Sequence, residues 1–422
     1  MKEIKIGIFG YTESSYRTRT ILATGGRIVA VCDASEAKRE RAKADLGREL
    51  ATYKDFDGLL SHPGLDAIYL CNYFHCHTPY AIRALERGIH VLSECTSNGT
   101  MAEGVALVRA AEKSRAIYML AENYPYMLFC LELERIAKGG TLGKIIYAEG
   151  EYNHPAGSHD RDDVLGVRPS EKHWRNYMPR SYYITHSLGP LMNMTGAMPV
   201  RVSAMPVFSP TPPDMLMGYD VGDRATIITT LNDDDSVFRV SGCSAFGGNE
   251  FSYRICGING QAENLRDNSD RVLLRYNSWQ VPEGKSTSQI YTPEWNDKDE
   301  ALIKESTHAG GDFFVFREFF RCIREGDRPF FDVYRATNMA SVAILAHRSS
   351  IERGVPYDIP DFRLEEDRKK YENDYLTPFY SEDGTPPTLP CCSHPDFVPD
   401  PETVAEYKRM LAEKQANLGG NK

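Results

Sequence analysis

The chain has 422 residues, enough for two domains and the large apolar core each of them needs. Hydrophobic residues make up 41% and charged ones 26%, the balance of a globular protein, while 49 basic against 59 acidic side chains leave a formal charge of −10. That acidity excludes a nucleic-acid partner, which needs a dense basic surface, and no apolar run approaches the ~20 residues of a membrane span. The start, "MKEIKIGIFGY", lacks the charged-then-apolar layout of a signal peptide, so a cytoplasmic location is expected.

Short apolar runs alternate with helical spacings over the first ~120 residues. "IKIGIFG" precedes the helical "SSYRTRTILAT", and "RIVAVCD" precedes "SEAKRERAKADLG". "LDAIYLCN", "HVLSE" and "IYMLAEN" follow in the same manner, with "TPYAIRALERG" and "TMAEGVALVRAAEKS" between them. Continuous apolar strands between amphipathic helices predict a parallel sheet covered on both faces, the doubly wound Rossmann arrangement, over residues 1–123. From 124 to 361 the texture is that of an α+β domain with a large open antiparallel sheet. "GKIIYAEGEYNH" alternates with a period of two, and "RATIITTL" and "SVFRVSGCSAF" flank the acidic turn "NDDD". Asn259-Gly260 marks a tight turn, and the helices "DFFVFREFFRCIREG" and "VYRATNMASVAILAHRSSIERG" each stop at a glycine. Residues 362–422 read as an extended, proline-rich tail that wraps a neighbouring surface. The ten cysteines are scattered without a CxxC pair, which suits buried thiols in a reducing compartment. "CCSH" (Cys391, Cys392, His394) is the one metal-like cluster, but it lacks a second ligand pair, so no metal is expected.

A parallel sheet of this kind binds ligands beyond the carboxyl ends of its strands. The first such end carries Gly10-Tyr11-Thr12-Glu13-Ser14-Ser15, in which only the turn-making glycine of GxGxxG survives. Thr12 and Ser15 are small and offer hydroxyls to a pyrophosphate at the helix N-terminus. Asp33, 23 residues after Gly10 at the end of the second strand, suits the ribose hydroxyls of NAD and repels the 2′-phosphate of NADP. NAD is therefore the expected cofactor.

The stretch "LDAIYLCNYFHCHTPYAIRALERGIHVLSE" resembles the glucose–fructose oxidoreductase/inositol dehydrogenase (Gfo/Idh/MocA) family, as do "HSLGPLMNMTGAMPVRVSA" and the region from "FREFFRCIREG" to "VPYDIP". The likeness covers nearly residues 4–360 and leaves out the tail. Family dehydrogenases usually carry lysine in "EKP" and an aspartate four residues before a histidine. Here these positions read Glu94-Cys95-Thr96 and Tyr182-Tyr183-Ile184-Thr185-His186. "YITHSLGP", "HAGGDFF", "DVYRA", "IPDF" and "LAENYPYM" are similar to the branch of NAD-dependent α-N-acetylgalactosaminidases. That resemblance implies oxidation of a sugar at carbon 3 with bound NAD⁺. The ketone then acidifies the neighbouring C–H and permits elimination of the glycosidic group.

A positioned acid–base group contributes typically 10²–10⁴-fold, so the missing lysine and aspartate require substitutes. His186 is expected to take the hydroxyl proton, since imidazole titrates near neutrality. Tyr183 and Tyr182, three and four residues before it, are the candidates for a second acid–base group, and either of them can instead pack. The cofactor is assigned to Gly10, Tyr11, Thr12, Asp33, Asn72, His77, Glu94, Cys95, Asn123, Trp174 and Arg175, with Cys95 filling the lysine's place rather than acting as a nucleophile. Trp174 either stacks on nicotinamide or sugar or fills the core. Tyr124, His154, His308 and Asp312 are assigned to the substrate. The leading reading is an NAD-dependent oxidoreductase acting on a secondary hydroxyl of a sugar or glycoside. A redox-neutral glycosidase and a non-catalytic NAD-binding sensor are the alternatives. A homo-oligomer formed through the open sheet is expected.

Overall fold

A computed structural model describes residues 3–11, 15–155, 173–210 and 222–419. Strands β1 (Ile4–Phe9), β2 (Gly26–Cys32), β3 (Ala51–Tyr53), β4 (Ala67–Leu70), β5 (His90–Ser93) and β6 (Tyr118–Leu120) alternate with helices α1 (Ser15–Ala23), α2 (Glu36–Leu46), α3 (Phe56–Leu60), α4 (His77–Glu86) and α5 (Met101–Lys113). All six strands are parallel, in the order β3-β2-β1-β4-β5-β6. The order reverses between β1 and β4, and the crevice over their carboxyl ends is where such sheets bind ligands. Local chemistry sets the helix ends. Thr100 and Glu103 form a reciprocal capping box on α5, and Ser35 caps α2.

The chain then forms α6 (Leu128–Lys138), β7 (Ile145–Asn153) and α7 (Thr185–Thr195), followed by eight more strands. These are β8 (Pro199–Phe208), β9 (Asp223–Asn232), β10 (Val237–Ser244), β11 (Glu250–Gly257), β12 (Gly260–Asn264), β13 (Val272–Tyr276), β14 (Ser288–Tyr291) and β15 (Tyr357–Asp358). With β7 they make a nine-stranded sheet ordered β14-β13-β12-β11-β7-β10-β9-β8-β15. It is antiparallel except where β10 lies parallel to β7. The acidic turn joins β9 to β10 as the alternation predicted. The tight turn between β11 and β12 falls one residue earlier than Asn259-Gly260 suggested. Ile258 and Asn259 make it, and Gly260 opens β12, where a Cβ would stand 2.2 Å from the Arg275 carbonyl.

Helices α8 (Glu300–Glu305), α9 (Gly311–Glu325) and α10 (Val333–Ile351) follow β14. Helix α9 goes back to the first sheet. Its Phe316, Phe319 and Phe320 share a buried cluster with Ile4, Ile6, Ile8 and Tyr69, so these aromatics are core. Helix α10, capped by Asp332, lies under the second sheet beside β8. Among the described residues, no helix is long and apolar enough to cross a membrane.

The tail carries α11 (Glu365–Tyr371) and α12 (Pro401–Gly419) and wraps its own chain. Phe379, 1% exposed, sits among Phe74, His75, Tyr177 and Tyr182. His75 Nε2 meets the Tyr380 carbonyl at 2.9 Å and His347 Nε2 meets the Pro390 carbonyl at 2.8 Å, which ties the tail to both halves of the molecule. Burial pulls both imidazoles down to about 4, against the smaller upward pull of those carbonyls. Because the folded value lies below the ordinary 6.5, the unfolded chain binds more protons between them. Stability is therefore expected to fall as pH drops from about 6.5 to about 4. Urea midpoints measured across that range check this. His75→Gln with His347→Gln should flatten the dependence.

Candidate active site

Five of the six parallel strands end at a residue that borders the crevice. Gly10 follows β1, Asp33 β2, Asn72 β4, Glu94 and Cys95 β5, and Glu122 and Asn123 β6. The second half contributes His186 from the first turn of α7. Gly189 lets α7 approach this closely, since a Cβ there would stand 2.8 Å from Glu122 Cγ.

Glu122 is fully buried and holds His186. Its Oε1 and Oε2 lie 2.9 and 3.1 Å from Nδ1. An ionised carboxylate only accepts, so Nδ1 carries the proton and Nε2 is the nitrogen left for a substrate. Burial pushes the Glu122 carboxyl up, but the adjacent His186, Thr185 and the Tyr124 N–H outweigh it and hold it below the ordinary carboxylate value. Cys95 stands behind this pair. It accepts from Thr185 Oγ1 at 3.1 Å and donates to Glu122 Oε2 at 3.4 Å. Burial and then Glu122 push its thiol well up, so it is no thiolate.

Three tyrosines enclose the imidazole. Tyr124 stacks on it with ring centres 4.1 Å apart, while Tyr152 and Tyr183 meet it edge-on at 5.0 and 5.1 Å. Tyr183 continues into a wall with Phe74 and Trp174, and the Arg175 guanidinium lies over Trp174 at 4.4 Å and over Tyr183 at 5.6 Å. Burial raises the Tyr183 phenol to about 12 although Arg175 pulls it down, so at neutral pH it donates a proton rather than taking one. His154 stacks on Tyr152 at 5.3 Å and meets Asn249 Oδ1 at 2.9 Å.

A second histidine–carboxylate pair stands across Tyr124. His308 Nδ1 meets Asp312 Oδ2 at 2.9 Å, and the His308 ring centre is 6.3 Å from that of Tyr124. Asp312 also accepts from Thr307 Oγ1 and from Asn123 Nδ2 (2.7 Å), with Arg17 Nε 3.7 Å away. Arg17 reaches Glu94 Oε1 at 2.8 Å, and Tyr69 donates to the same oxygen. Burial pulls the His308 imidazole down, but Asp312 wins and raises it. Burial pushes the Asp312 carboxyl up, but His308 and Arg17 hold it well below the carboxylate range.

Several sequence assignments change. Tyr182, 1% exposed, turns away from His186 and packs edge-on against Phe379 and near His347, because the short 3-10 turn Arg180–Tyr183 points adjacent side chains apart. His77 is 1% exposed, with Nδ1 2.9 Å from the Thr96 carbonyl and Nε2 3.2 Å from the Asn72 carbonyl, so the ring is wedged between two strand-end turns instead of facing a ligand. The Tyr11 hydroxyl goes to Asp45 at 2.8 Å, leaving only its main chain in the crevice. Thr12 lies outside the described residues. Sequence reasoning left Glu122, Tyr152, Phe74 and Arg17 out of the site. Glu122 did carry a signal, an acid just past the last strand of a parallel sheet. Arg17 sits in an ordinary helical run and gave none.

The crevice fits a dinucleotide. Gly10 takes φ +87° and passes so close to the Cys71 carbonyl that a Cβ would stand at 2.7 Å, so only glycine makes this turn at the end of β1. The Asp33 oxygens accept the Tyr11 and Ser35 N–H groups and retain lone pairs for ribose hydroxyls. Asn72 Oδ1 and Asn123 Oδ1 are buried acceptors without a hydrogen bond, a cost that hydroxyl or carboxamide donors of a bound cofactor remove.

Residues 4–122 match the NAD-binding Rossmann domain of an oxidoreductase family, and residues 203–368 match the C-terminal domain of glycosyl hydrolase family 109. The chain thus joins a Gfo/Idh/MocA NAD-binding domain to a segment matching the glycosyl hydrolase 109 C-terminal domain, and it is an NAD-dependent enzyme. It is 25% identical over 383 residues to an alpha-N-acetylgalactosaminidase of Bacteroides fragilis, covering 82% of this chain and 88% of that protein. A glycosyl hydrolase family 109 protein of Streptomyces filamentosus is 25% identical over 400 residues, 87% of this chain and 78% of the relative. Levoglucosan dehydrogenase in complex with NADH and levoglucosan shares the fold with a TM-score of 0.70 at 16% identity, over 85% of this chain and all of that one. Aldose-aldose oxidoreductase from Caulobacter crescentus does so with a TM-score of 0.67 at 17%, over 85% of this chain and all of that one.

Proposed function

We infer that this enzyme oxidises a secondary hydroxyl, that on carbon 3, of a sugar or glycoside, with His186 Nε2 taking the hydroxyl proton. The Glu122–His186 pair at the carboxyl end of the parallel sheet is the observation that carries this reading. Glu122 fixes the tautomer and stabilises the imidazolium that forms. Tyr183 and Tyr124 offer hydroxyls to sugar oxygens, and the aromatic wall of Phe74, Trp174 and Tyr183 excludes water from the reacting carbon. Gly10, Asp33, Asn72, Glu94 and Asn123 would hold the cofactor, with Trp174 and Arg175 flanking its nicotinamide end. Bound NAD⁺ supplies a two-electron acceptor for the carbon-bound hydrogen.

The His308–Asp312 pair favours a second reading, a redox-neutral glycosidase. Once carbon 3 is a ketone, the neighbouring C–H is acidic. A second proton carrier across Tyr124 then serves elimination of the aglycone, for which a lone dehydrogenase base has no need. The α-N-acetylgalactosaminidase relative supports the same direction.

Absorbance near 340 nm, followed with glucosides, galactosides and N-acetylhexosaminides while released aglycone is assayed, tests both. Lasting NADH with an intact glycoside identifies the oxidoreductase, and aglycone release without lasting NADH identifies the glycosidase. Neither signal, and no difference from His186→Ala, overturns both readings.

A further inference from the structure

The start of β9 meets the tail at another group of reactive side chains. Asp223, Cys392 and His394 bring a carboxylate oxygen, a sulfur and an imidazole nitrogen within 4.8 Å of one another. Asp223 and Cys392 are each 4% exposed and His394 is half-buried. Carboxylate, thiolate and imidazole are donor types that zinc takes together.

The surrounding bonds prepare all three. Ser393 donates its N–H to Asp223 Oδ2 at 2.8 Å and its hydroxyl to Oδ1 at 2.5 Å, which fixes the carboxylate. With its hydrogen spent, the Ser393 hydroxyl oxygen accepts from His394 Nδ1 at 3.0 Å, so Nε2 keeps a bare lone pair. The Phe208 ring, 3.7 Å from that of His394, pins the imidazole against β8. Cys392 Sγ accepts the His394 N–H at 3.5 Å, and the N–H groups of Gly222 and Asp223 also bond it. Three main-chain donors converge on this one sulfur and fix its position beside Asp223 and His394. The nearby buried Arg180 bonds the Asp223 carbonyl at 3.2 Å and leaves the carboxylate to Ser393 and the cluster.

We propose that Asp223, Cys392 and His394 bind one zinc ion, with water in the fourth position, and that the ion clasps the tail to the nine-stranded sheet. Binding forms a zinc–sulfur bond as the Cys392 S–H proton passes to solvent, and no electrons are exchanged. Sequence alone led to no metal being expected here because "CCSH" lacked a further ligand pair, and the third ligand, Asp223, lies 170 residues before Ser393.

The test is metal content of the full-length protein after purification and after dialysis against zinc, beside Cys392→Ser, His394→Gln and Asp223→Asn. One zinc per chain in the parent and at least a tenfold loss of affinity in Cys392→Ser and His394→Gln is the expected result. Cobalt in place of zinc should give a sulfur-to-metal charge-transfer absorption that Cys392→Ser lacks. A chelator should lower the Tm of the parent but not of Cys392→Ser. No zinc above background, zinc retained unchanged in all three variants, or cobalt bound without the charge-transfer band would each overturn the proposal. Far-ultraviolet circular dichroism and NAD binding of each variant separate loss of the ion from failure to fold.

Discussion

Replacing His186 by alanine is expected to lower kcat/KM for glycoside oxidation by about 10²–10⁴-fold, the span typical of a positioned proton acceptor. The loss should fall on kcat, with KM and NAD affinity near the parent values, because the imidazole acts on the proton that leaves in the transition state. Glu122→Gln should lose a comparable amount, since an amide no longer holds the proton on Nδ1 or stabilises the imidazolium. A loss below tenfold in His186→Ala would remove it from the chemistry. The same substitution has a stability signature. In the parent, Glu122 is held below its ordinary 4.5, so its contribution is present above that value and disappears as pH falls through the lower folded one. Without His186, burial dominates and the carboxyl rises. The variant's deficit should therefore grow as pH climbs above about 4.5, and chemical denaturation at pH 4, 5.5 and 7 reads it.

Asp312→Asn is expected to cost about 3 kcal/mol, because it leaves Arg17 and His308 beside a neutral amide in a site where the parent carboxylate is 4% exposed. Asp312 is depressed in the folded protein, so its contribution is present above the ordinary 3.8 and lost as pH falls through the folded value. His308 is raised, so its contribution is full below 6.5 and lost as pH rises through the folded value. The difference between parent and variant should thus be largest between about 3.8 and 6.5 and shrink at alkaline pH. Equal urea midpoints at pH 5.5 would rule out this role for the pair. In the glycosidase reading, the variant should also lose aglycone release while NADH formation persists. Parallel loss of both activities would assign Asp312 to general integrity of the crevice.

The parallel sheet was legible because its strands are continuous apolar runs and because Gly10 and Asp33 fall at strand ends, where the ligand position follows from topology. His186 was legible through the family resemblance, since it is the motif's histidine that remains where the lysine and aspartate are replaced. Distances across 64 residues were not. Nothing local to Tyr182-Tyr183 tells which of two neighbouring aromatics faces the imidazole, and the turn that separates them is set by packing against Phe379. His77 misled for the converse reason. A polar turn ending in histidine looks like a ligand site until the ring is seen buried between two main-chain carbonyls.

By itself, then, the sequence determined the elements that rest on short-range periodicity and the strand-end positions that topology makes functional. Only the tertiary structure decided which carboxylate serves which histidine: Glu122 for His186, Asp312 for His308, and Asp223 beside the tail's Cys392 and His394. The physical reason is that periodicity is a property of neighbours along the chain. A charge pair is a property of neighbours in space, and it is fixed only when burial strips both partners of water and leaves each the other's hydrogen bond.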